Sequence, residues 1–127
     1  MRYHESMSLI LVVDDDLPTL NGLAALLRSA GHTVSAAADF PEARGLLLTI
    51  QPALLIVDVR LHEYNGLQLV VMAQSLSPPP AAIVTSGFYD EVLRGEARKL
   101  GASFLEKPFE PARLFALVDT LLTPNGV

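Results

Sequence analysis

The sequence has no cysteine and no long hydrophobic run, and both absences exclude whole classes of function. Without cysteine there are no disulfide bonds and no thiolate chemistry, which suits a reducing compartment. The apolar runs are short, as at Leu9–Val13 and residues 53–57, whereas a membrane-spanning helix needs about 18 consecutive apolar residues. We therefore expect a cytoplasmic protein that does not contact a membrane.

Positive charge is also scarce. Lysine and arginine total 9 against 14 aspartate and glutamate, giving a formal net charge of −5, and no basic run occurs anywhere in the chain. Because binding to the phosphate backbone depends on clustered lysine and arginine, direct nucleic-acid binding is not expected.

The length of 127 residues suits one domain with a single well-filled interior, and half of the residues are hydrophobic. Residues 1–8 are polar and lack the apolar stretch of a signal peptide, so we interpret them as a flexible leader. The domain is predicted over residues 9–123, and residues 124–127 form a tail or the start of a linker. Whether the domain stands alone or is part of a longer protein remains open.

Strands and helices alternate five times along the chain. Strands bounded by turn residues are predicted at 9–13, 32–38, 53–57, 81–84 and 103–106, and a helix follows each of them, the later three near 67–76, 89–100 and from 111 onward. This alternation requires right-handed crossovers, and it predicts an α/β fold of the doubly wound (βα)5 type. Its five-stranded sheet is parallel and has helices on both faces.

Helical periodicity indicates which side chains enter the core. Leu20, Leu23, Ala24 and Leu27 share one face of the first helix, and Gly31 ends that helix. The fourth helix has a thin apolar stripe and an interior glycine, which costs about 1 kcal/mol relative to alanine, so we expect it to be the softest helix. The last helix is predicted to bury Leu114, Phe115, Val118, Leu121 and Leu122.

Polar side chains follow four of the predicted strands. Asp14 and Asp15 come after the first strand, Asp58 after the third, Thr85 after the fourth and Lys107 after the fifth. In open parallel sheets ligands bind outside the carboxyl ends of the strands, so these residues are expected at one edge of the sheet.

That group of side chains predicts a specific chemistry. Three close carboxylates repel one another unless a cation lies among them, and an all-oxygen set with few protein ligands suits Mg²⁺. A lysine and a threonine hydroxyl facing the metal complete a pocket for a phosphoryl group, while one carboxylate attacks phosphorus in line. The residues therefore predict a Mg²⁺-dependent site that forms an aspartyl phosphate.

Four sequence blocks closely resemble the response-regulator receiver domains of two-component signalling, and the resemblance extends over residues 9–122. The resemblance implies a flavodoxin-like fold with strand order 2-1-3-4-5. The blocks are VVDDD at residues 12–16, LIVD at 55–58, VTS at 84–86 and EKPF at 106–109.

The resemblance also implies a role for individual residues. Asp58 matches the phosphoacceptor, Asp15 the direct Mg²⁺ ligand and Asp14 an acid that acts mainly through water. Further matches are Arg60 as a backbone-carbonyl ligand of the metal, Thr85 as the hydroxyl that moves to the phosphoryl oxygen, Ser86 as the small residue that leaves room for the phosphate, Lys107 as the phosphate-binding lysine, Pro108 as a cis-proline candidate and Phe104 as the switch aromatic.

The resemblance further implies partners. A sensor histidine kinase or a histidine phosphotransfer protein would donate the phosphoryl group to Asp58. The surface of the fourth helix, fifth strand and fifth helix would then pass the signal to an effector domain or protein. Whether the domain also forms a homodimer remains open. Catalysis would be limited to the domain's own phosphorylation and dephosphorylation.

Two positions depart from the family pattern. His62 stands where a proline is common, and without the fixed φ of proline we expect a looser loop. We interpret His62 as an exposed loop residue rather than a metal ligand. Arg60 lies two residues after the acceptor, near the mouth of the phosphate site, and we predict that its side chain modulates dephosphorylation.

Simpler interpretations exist for each residue taken alone. The acids at residues 14–16 could serve simply to start a helix, and Asp58 could be an ordinary turn residue. Thr85 and Ser86 could cap the fourth helix, and Lys107 could be a solvated surface residue. Two other functions also remain open. A protein-binding module could have kept the fold without using phosphate. A phosphatase of the haloacid-dehalogenase type is disfavoured, because that class has a second acidic residue two positions after its nucleophilic aspartate and this chain has Arg60 there.

Overall fold

The computed structural model describes residues 8–88 and 90–123. The predicted leader, except Ser8, and the predicted tail at 124–127 lie outside the described residues. The strands are β1 (Leu9–Val13), β2 (Thr33–Ala37), β3 (Leu54–Asp58), β4 (Arg60–Leu61), β5 (Tyr64–Asn65), β6 (Ala81–Ser86) and β7 (Ser103–Glu106). The helices are α1 (Leu17–Ser29), α2 (Phe40–Ile50), α3 (Leu67–Ala73), α4 (Glu91–Lys99) and α5 (Pro111–Leu122).

Five parallel strands form one sheet in the order β2-β1-β3-β6-β7. These are the five predicted strands in chain order, so the predicted order 2-1-3-4-5 is confirmed. Strands β3 and β6 extend further than predicted, because their parallel pairing with neighbouring strands continues past the apolar residues. Asp58 pairs in register with Thr85, and Ser86 pairs with Glu106. Polar residues of the site therefore lie on the rigid ends of strands.

Two hydrophobic cores lie on opposite faces of the sheet, as predicted from the alternation. Helices α1 and α5 cover one face, and α2, α3 and α4 cover the other. The predicted core-facing side of α1 is confirmed, since the four residues predicted to lie on it are all buried. In α5 the predicted burial is confirmed for Leu114 and Val118, whereas Phe115, Leu121 and Leu122 are only partly buried. Leu117, which was not predicted, is also partly buried and packs against the core.

The helix ends follow local chemistry. The side chains of Asp39 and Asp90 accept backbone N–H bonds at the starts of α2 and α4. Gly31 and Gly101 follow α1 and α4 with φ of 98° and 77°, a backbone conformation that side chains disfavour. Helix α3 ends at Ala73, three residues earlier than predicted, and turns lead from there to the proline run at residues 78–80.

The loop after β3 is a tight hairpin rather than a loose segment, which corrects the expectation drawn from His62. Strands β4 and β5 pair antiparallel and are joined by two residues, His62 and Glu63. His62 has a φ of 57°, which proline cannot adopt because its ring fixes φ near −65°. The chain therefore replaces the proline restraint with a hairpin.

No helix within residues 8–88 and 90–123 is both long enough and apolar enough to cross a membrane.

Candidate functional site

Three carboxylates converge at the carboxyl edge of the sheet. Asp14 and Asp15 follow β1, and Asp58 ends the neighbouring strand β3. Each contributes an oxygen, and these oxygens all lie within 4.8 Å of one another. Asp14 and Asp58 are buried and Asp15 is partly buried. The strand-end argument therefore predicted this cluster correctly.

Lys107 faces the cluster from the end of β7. Its Nζ lies 3.0 Å from Asp14 Oδ2 and 2.9 Å from Asp58 Oδ1. Its own backbone N–H donates to the carbonyl of Ser86 at 2.7 Å, which ties the lysine to the end of β6. The side chain is only 22% exposed, so the interpretation of Lys107 as a solvated surface residue is wrong.

The site contains more negative than positive charge. Burial raises the pKa of the Asp58 carboxyl, and the hydrogen bond and charge of Lys107 only partly offset this effect. For Lys107, burial lowers the pKa, but the bonds and charges of Asp58 and Asp14 outweigh it, so that the pKa of the ammonium is raised. One ammonium faces three carboxylates, and a further cation would relieve the remaining repulsion.

The donor set fits a hard divalent cation. The three carboxylates supply only oxygen ligands, and these oxygens are close enough together for one ion to contact all of them. Asp15 Oδ2 is itself oriented by the backbone N–H of His62 at 3.1 Å, and Asp58 Oδ2 by that of Arg60 at 3.3 Å. The residues present could therefore hold a metal. The role of the Arg60 carbonyl as a ligand stays a prediction.

Thr85 and Ser86 lie at the end of β6 and are both buried. The hydroxyl of Thr85 donates to Asp58 Oδ1 at 3.3 Å, so it already contacts the predicted acceptor. The Ser86 hydroxyl instead donates to the Phe88 carbonyl at 3.0 Å. Neither residue caps α4, because Asp90 does so. The simpler interpretation of this pair is therefore wrong.

The acidic run at residues 14–16 divides between two roles. Asp14 and Asp15 join the carboxylate cluster, whereas Asp16 caps α1 by accepting the backbone N–H of Thr19 at 3.1 Å. The hydroxyl of Thr19 also donates to Asp16, and these hydrogen bonds lower the pKa of the Asp16 carboxyl. The helix-start interpretation thus holds for one of the three acids.

Two further residues to which the resemblance assigns a role lie beside the site. Phe104 is on β7, and Pro108 follows the end of that strand. Phe104 is partly buried, and the guanidinium of Arg94 lies over its ring. The peptide bond between Lys107 and Pro108 is cis.

The sequence reasoning missed a contact between Arg60 and Phe88. The guanidinium of Arg60 lies 4.3 Å from the centroid of the Phe88 ring. Each residue stands two positions after the end of a strand, β3 for Arg60 and β6 for Phe88, and these strands are neighbours. That matched spacing was the signal that could have placed them together.

The role of His62 was also only partly foreseen. Its side chain is 70% exposed, which confirms the expectation of an exposed loop residue, but its Nδ1 lies 3.6 Å from Asp15 Oδ2. Together with the backbone bond, this contact connects the β4–β5 hairpin to the carboxylate cluster.

Comparison with known proteins identifies the family of this chain. Residues 10–119 match the family described as the response regulator receiver domain. The chain belongs to this family. Receiver domains of two-component response regulators are signalling domains and not classical enzymes.

Relatives and solved structures are similar to this receiver domain over most of its length. The transcriptional regulatory protein FixJ of Azorhizobium caulinodans is 40% identical over 120 residues, covering 87% of this chain and 53% of the relative. FixJ of Bradyrhizobium diazoefficiens is 34% identical over 114 residues, covering 89% and 56%. The receiver domain thus spans about half the length of these two relatives.

The fold of this receiver domain is also found in a solved structure. A CheY-like response regulator receiver domain protein from Methanospirillum hungatei JF-1 superposes with a TM-score of 0.86 at 26% identity, covering 92% of this chain and 94% of the other. The flavodoxin-like α/β fold is confirmed.

Proposed function

We propose that this receiver domain accepts a phosphoryl group on Asp58 from the phosphohistidine of a sensor histidine kinase or a histidine phosphotransfer protein. A carboxylate oxygen of Asp58 forms the new bond to phosphorus, the P–N bond of phosphohistidine breaks, and the imidazole keeps the electron pair. The observation that carries the proposal is the position of Lys107 Nζ, which touches both Asp14 and Asp58 beside a third carboxylate.

The proposed metal is Mg²⁺, held by Asp14, Asp15, Asp58 and the backbone carbonyl of Arg60. When bound, Mg²⁺ supplies positive charge to the phosphoryl oxygens. Lys107, which already forms an ion pair with Asp58, neutralises the same group.

The proposed switch starts at Thr85. Its hydroxyl now donates to Asp58 Oδ1, the oxygen that also contacts Lys107, and both donors turn to the phosphoryl oxygens once these are present. Ser86 supplies the small side chain that leaves the group room. Phe104 then turns inward on β7, and the surface of α4, β7 and α5 changes.

The proposed output follows from the relatives. Both FixJ proteins are named transcriptional regulators, and the chain covers about half of each. We propose that the folded unit at residues 9–123 signals in the cytoplasm to an effector domain or protein outside these residues, with no direct nucleic-acid contact of its own.

Arg60 is proposed to set the lifetime of the phosphoryl group. Its side chain leaves the chain two residues after Asp58 and lies over Phe88, so the pair bridges the two loops that flank the acceptor. We expect Arg60→Ala to change the rate of aspartyl-phosphate hydrolysis, because a side chain near the phosphoryl site controls the access of water. Arg44→Ala in α2 is the control, and an unchanged half-life in Arg60→Ala contradicts this role.

The deciding experiment is an intact mass spectrum after incubation with acetyl phosphate and Mg²⁺. The wild type is expected to gain one phosphoryl mass, and Asp58→Asn and a sample without Mg²⁺ are not. A wild-type protein that gains no mass, and that also fails to bind beryllofluoride, would instead be a binding module that works without phosphate.

A further inference from the structure

Helix α4 is joined to β7 by a stack of a cation on an aromatic ring. The guanidinium of Arg94 lies 4.8 Å from the centroid of the Phe104 ring, and both side chains are partly buried. Phe104 borders two shallow surface depressions, of about 490 Å³ and about 310 Å³. The ring therefore lies at the boundary between the core, against which it packs, and the surface, with Arg94 against one face.

The remaining attachment of α4 is slight. Within the helix, Ala97 is its one buried residue, and Leu93 and Leu100 add partly buried contacts. A methyl group added at Gly95 would meet nothing within 4 Å, so this part of the helix packs against no neighbour closely. The Arg94–Phe104 stack thus adds to the few side-chain contacts that hold α4 against the rest of the domain.

We propose that Arg94 is a positioning residue that holds Phe104 in its resting orientation and so opposes activation of the domain. This inference rests on the proposed function, in which Phe104 turns inward when Asp58 is phosphorylated. The turn separates the ring from the guanidinium, so the stack favours the resting state alone. An interaction that is present in only one of two states changes the free-energy difference between them by the free energy of that interaction.

The expected size of the effect follows from the type of contact. A cation on an aromatic ring at a partly exposed site shifts an equilibrium about two- to fivefold. Arg94→Ala should therefore raise the apparent affinity for beryllofluoride with Mg²⁺ by about that factor, measured by calorimetric titration. Arg94→Lys keeps a cation near the ring and should lie closer to the wild type.

The matched control lies one turn further along the same helix. Arg98 is exposed, and Arg98→Ala removes the same charge from α4 without touching Phe104. Arg94 also takes part in a further interaction, so a second background is needed. In Phe104→Leu, which retains an apolar side chain but has no ring, Arg94→Ala should have no effect on beryllofluoride affinity.

A second readout does not depend on affinity. In the free protein, Arg94→Ala should move the NMR signals of the Phe104 ring part of the way towards their beryllofluoride-bound positions. A role confined to general stability would not produce that directed shift.

Three results would overturn the inference: an Arg94→Ala affinity no higher than that of the wild type, an equal increase in Arg98→Ala, or an increase that persists in Phe104→Leu. If the wild type itself binds no beryllofluoride, the proposed function fails and the inference fails with it. Wild-type binding without the Arg94 effect refutes the inference alone.

Discussion

Gly66 is a position at which one added methyl group should disturb the site. Its φ of −59° suits any residue, so backbone conformation does not require glycine there. The requirement is space. A Cβ at this position would lie 2.9 Å from Val57 Cγ2 and closer still to the carbonyl oxygen of Asp58, far inside van der Waals contact.

Neither neighbour can yield cheaply. Val57 is buried and β-branched, so its side chain has few alternative rotamers, and the Asp58 oxygen belongs to the backbone of a central strand. Gly66→Ala must therefore shift the start of α3 or the end of β3. Overpacking of this kind costs about 1–3 kcal/mol, and we expect the upper end because backbone must move.

Urea unfolding followed by circular dichroism measures this cost. With a slope of about 1.5 kcal/mol per molar urea, a loss of 3 kcal/mol lowers the midpoint by about 2 M. Gly45→Ala in α2 is the control, since its added methyl meets nothing within 4 Å and should raise stability by about 0.5–1 kcal/mol.

The same substitution should also reach the site, because the shifted backbone carries the Asp58 carboxylate. We expect weaker metal binding in Gly66→Ala than in Gly45→Ala, measured by titration with Mg²⁺. A Gly66→Ala protein as stable as the wild type would show that the close approach to the Asp58 carbonyl is not a constraint, and the reasoning would be refuted.

Three further predictions concern the core and the charges. Leu27→Ala removes a fully buried side chain and should cost about 2–5 kcal/mol in urea unfolding, whereas Leu48→Ala, at a side chain that is 51% exposed, should cost less than about 0.5 kcal/mol. Asp58→Asn should stabilise the metal-free protein at neutral pH, because the substitution removes a carboxylate whose ionised form is disfavoured by burial. Burial raises the pKa of this carboxyl above its unfolded value, so its ionised form destabilises the fold above the raised pKa. The gain should vanish as the pH falls below the unfolded value, and a gain that grows on acidification would contradict the assignment. Lys107→Met should raise the pKa of Asp58 further, because it removes the hydrogen bond and the charge that lower it; an unchanged carboxyl NMR titration would argue against their contact.

The residues at strand ends were predictable because a single rule governs them. Carboxyl ends of parallel strands share one edge, so Asp14, Asp58 and Lys107 had to meet once the strands were recognised. The strands β1 and β3 were recognisable because they are near-continuous apolar runs, which is typical of parallel strands buried on both faces.

Local contacts decided what the rule could not. The three acids at residues 14–16 look alike in sequence, yet Asp16 caps α1 while its neighbours enter the cluster. Phe115 has the spacing of a core residue but is only partly buried, and the partly buried Leu117 packs against the core. Such choices depend on the direction in which a helix meets the sheet, which no single stretch of sequence encodes.

The loop after Asp58 shows the same limit from the other side. The replacement of proline at His62 suggested a loss of restraint, but the chain forms a hairpin there, and the N–H of His62 bonds to Asp15, 47 positions away in the sequence. The partner that restrains the loop comes from another strand end, so it could not be read from the loop itself.

By itself, the sequence determined the order of strands and helices, the parallel sheet and the set of charged residues at its edge, because hydrophobic periodicity and strand direction are properties of continuous segments. Only the tertiary structure decided the contacts between segments: Lys107 between Asp14 and Asp58, Arg60 on Phe88, Arg94 on Phe104 and the tight approach of Gly66 to the Asp58 carbonyl. Each of these joins side chains or backbone from different elements, and their distances are fixed by how those elements pack rather than by any local preference of the chain.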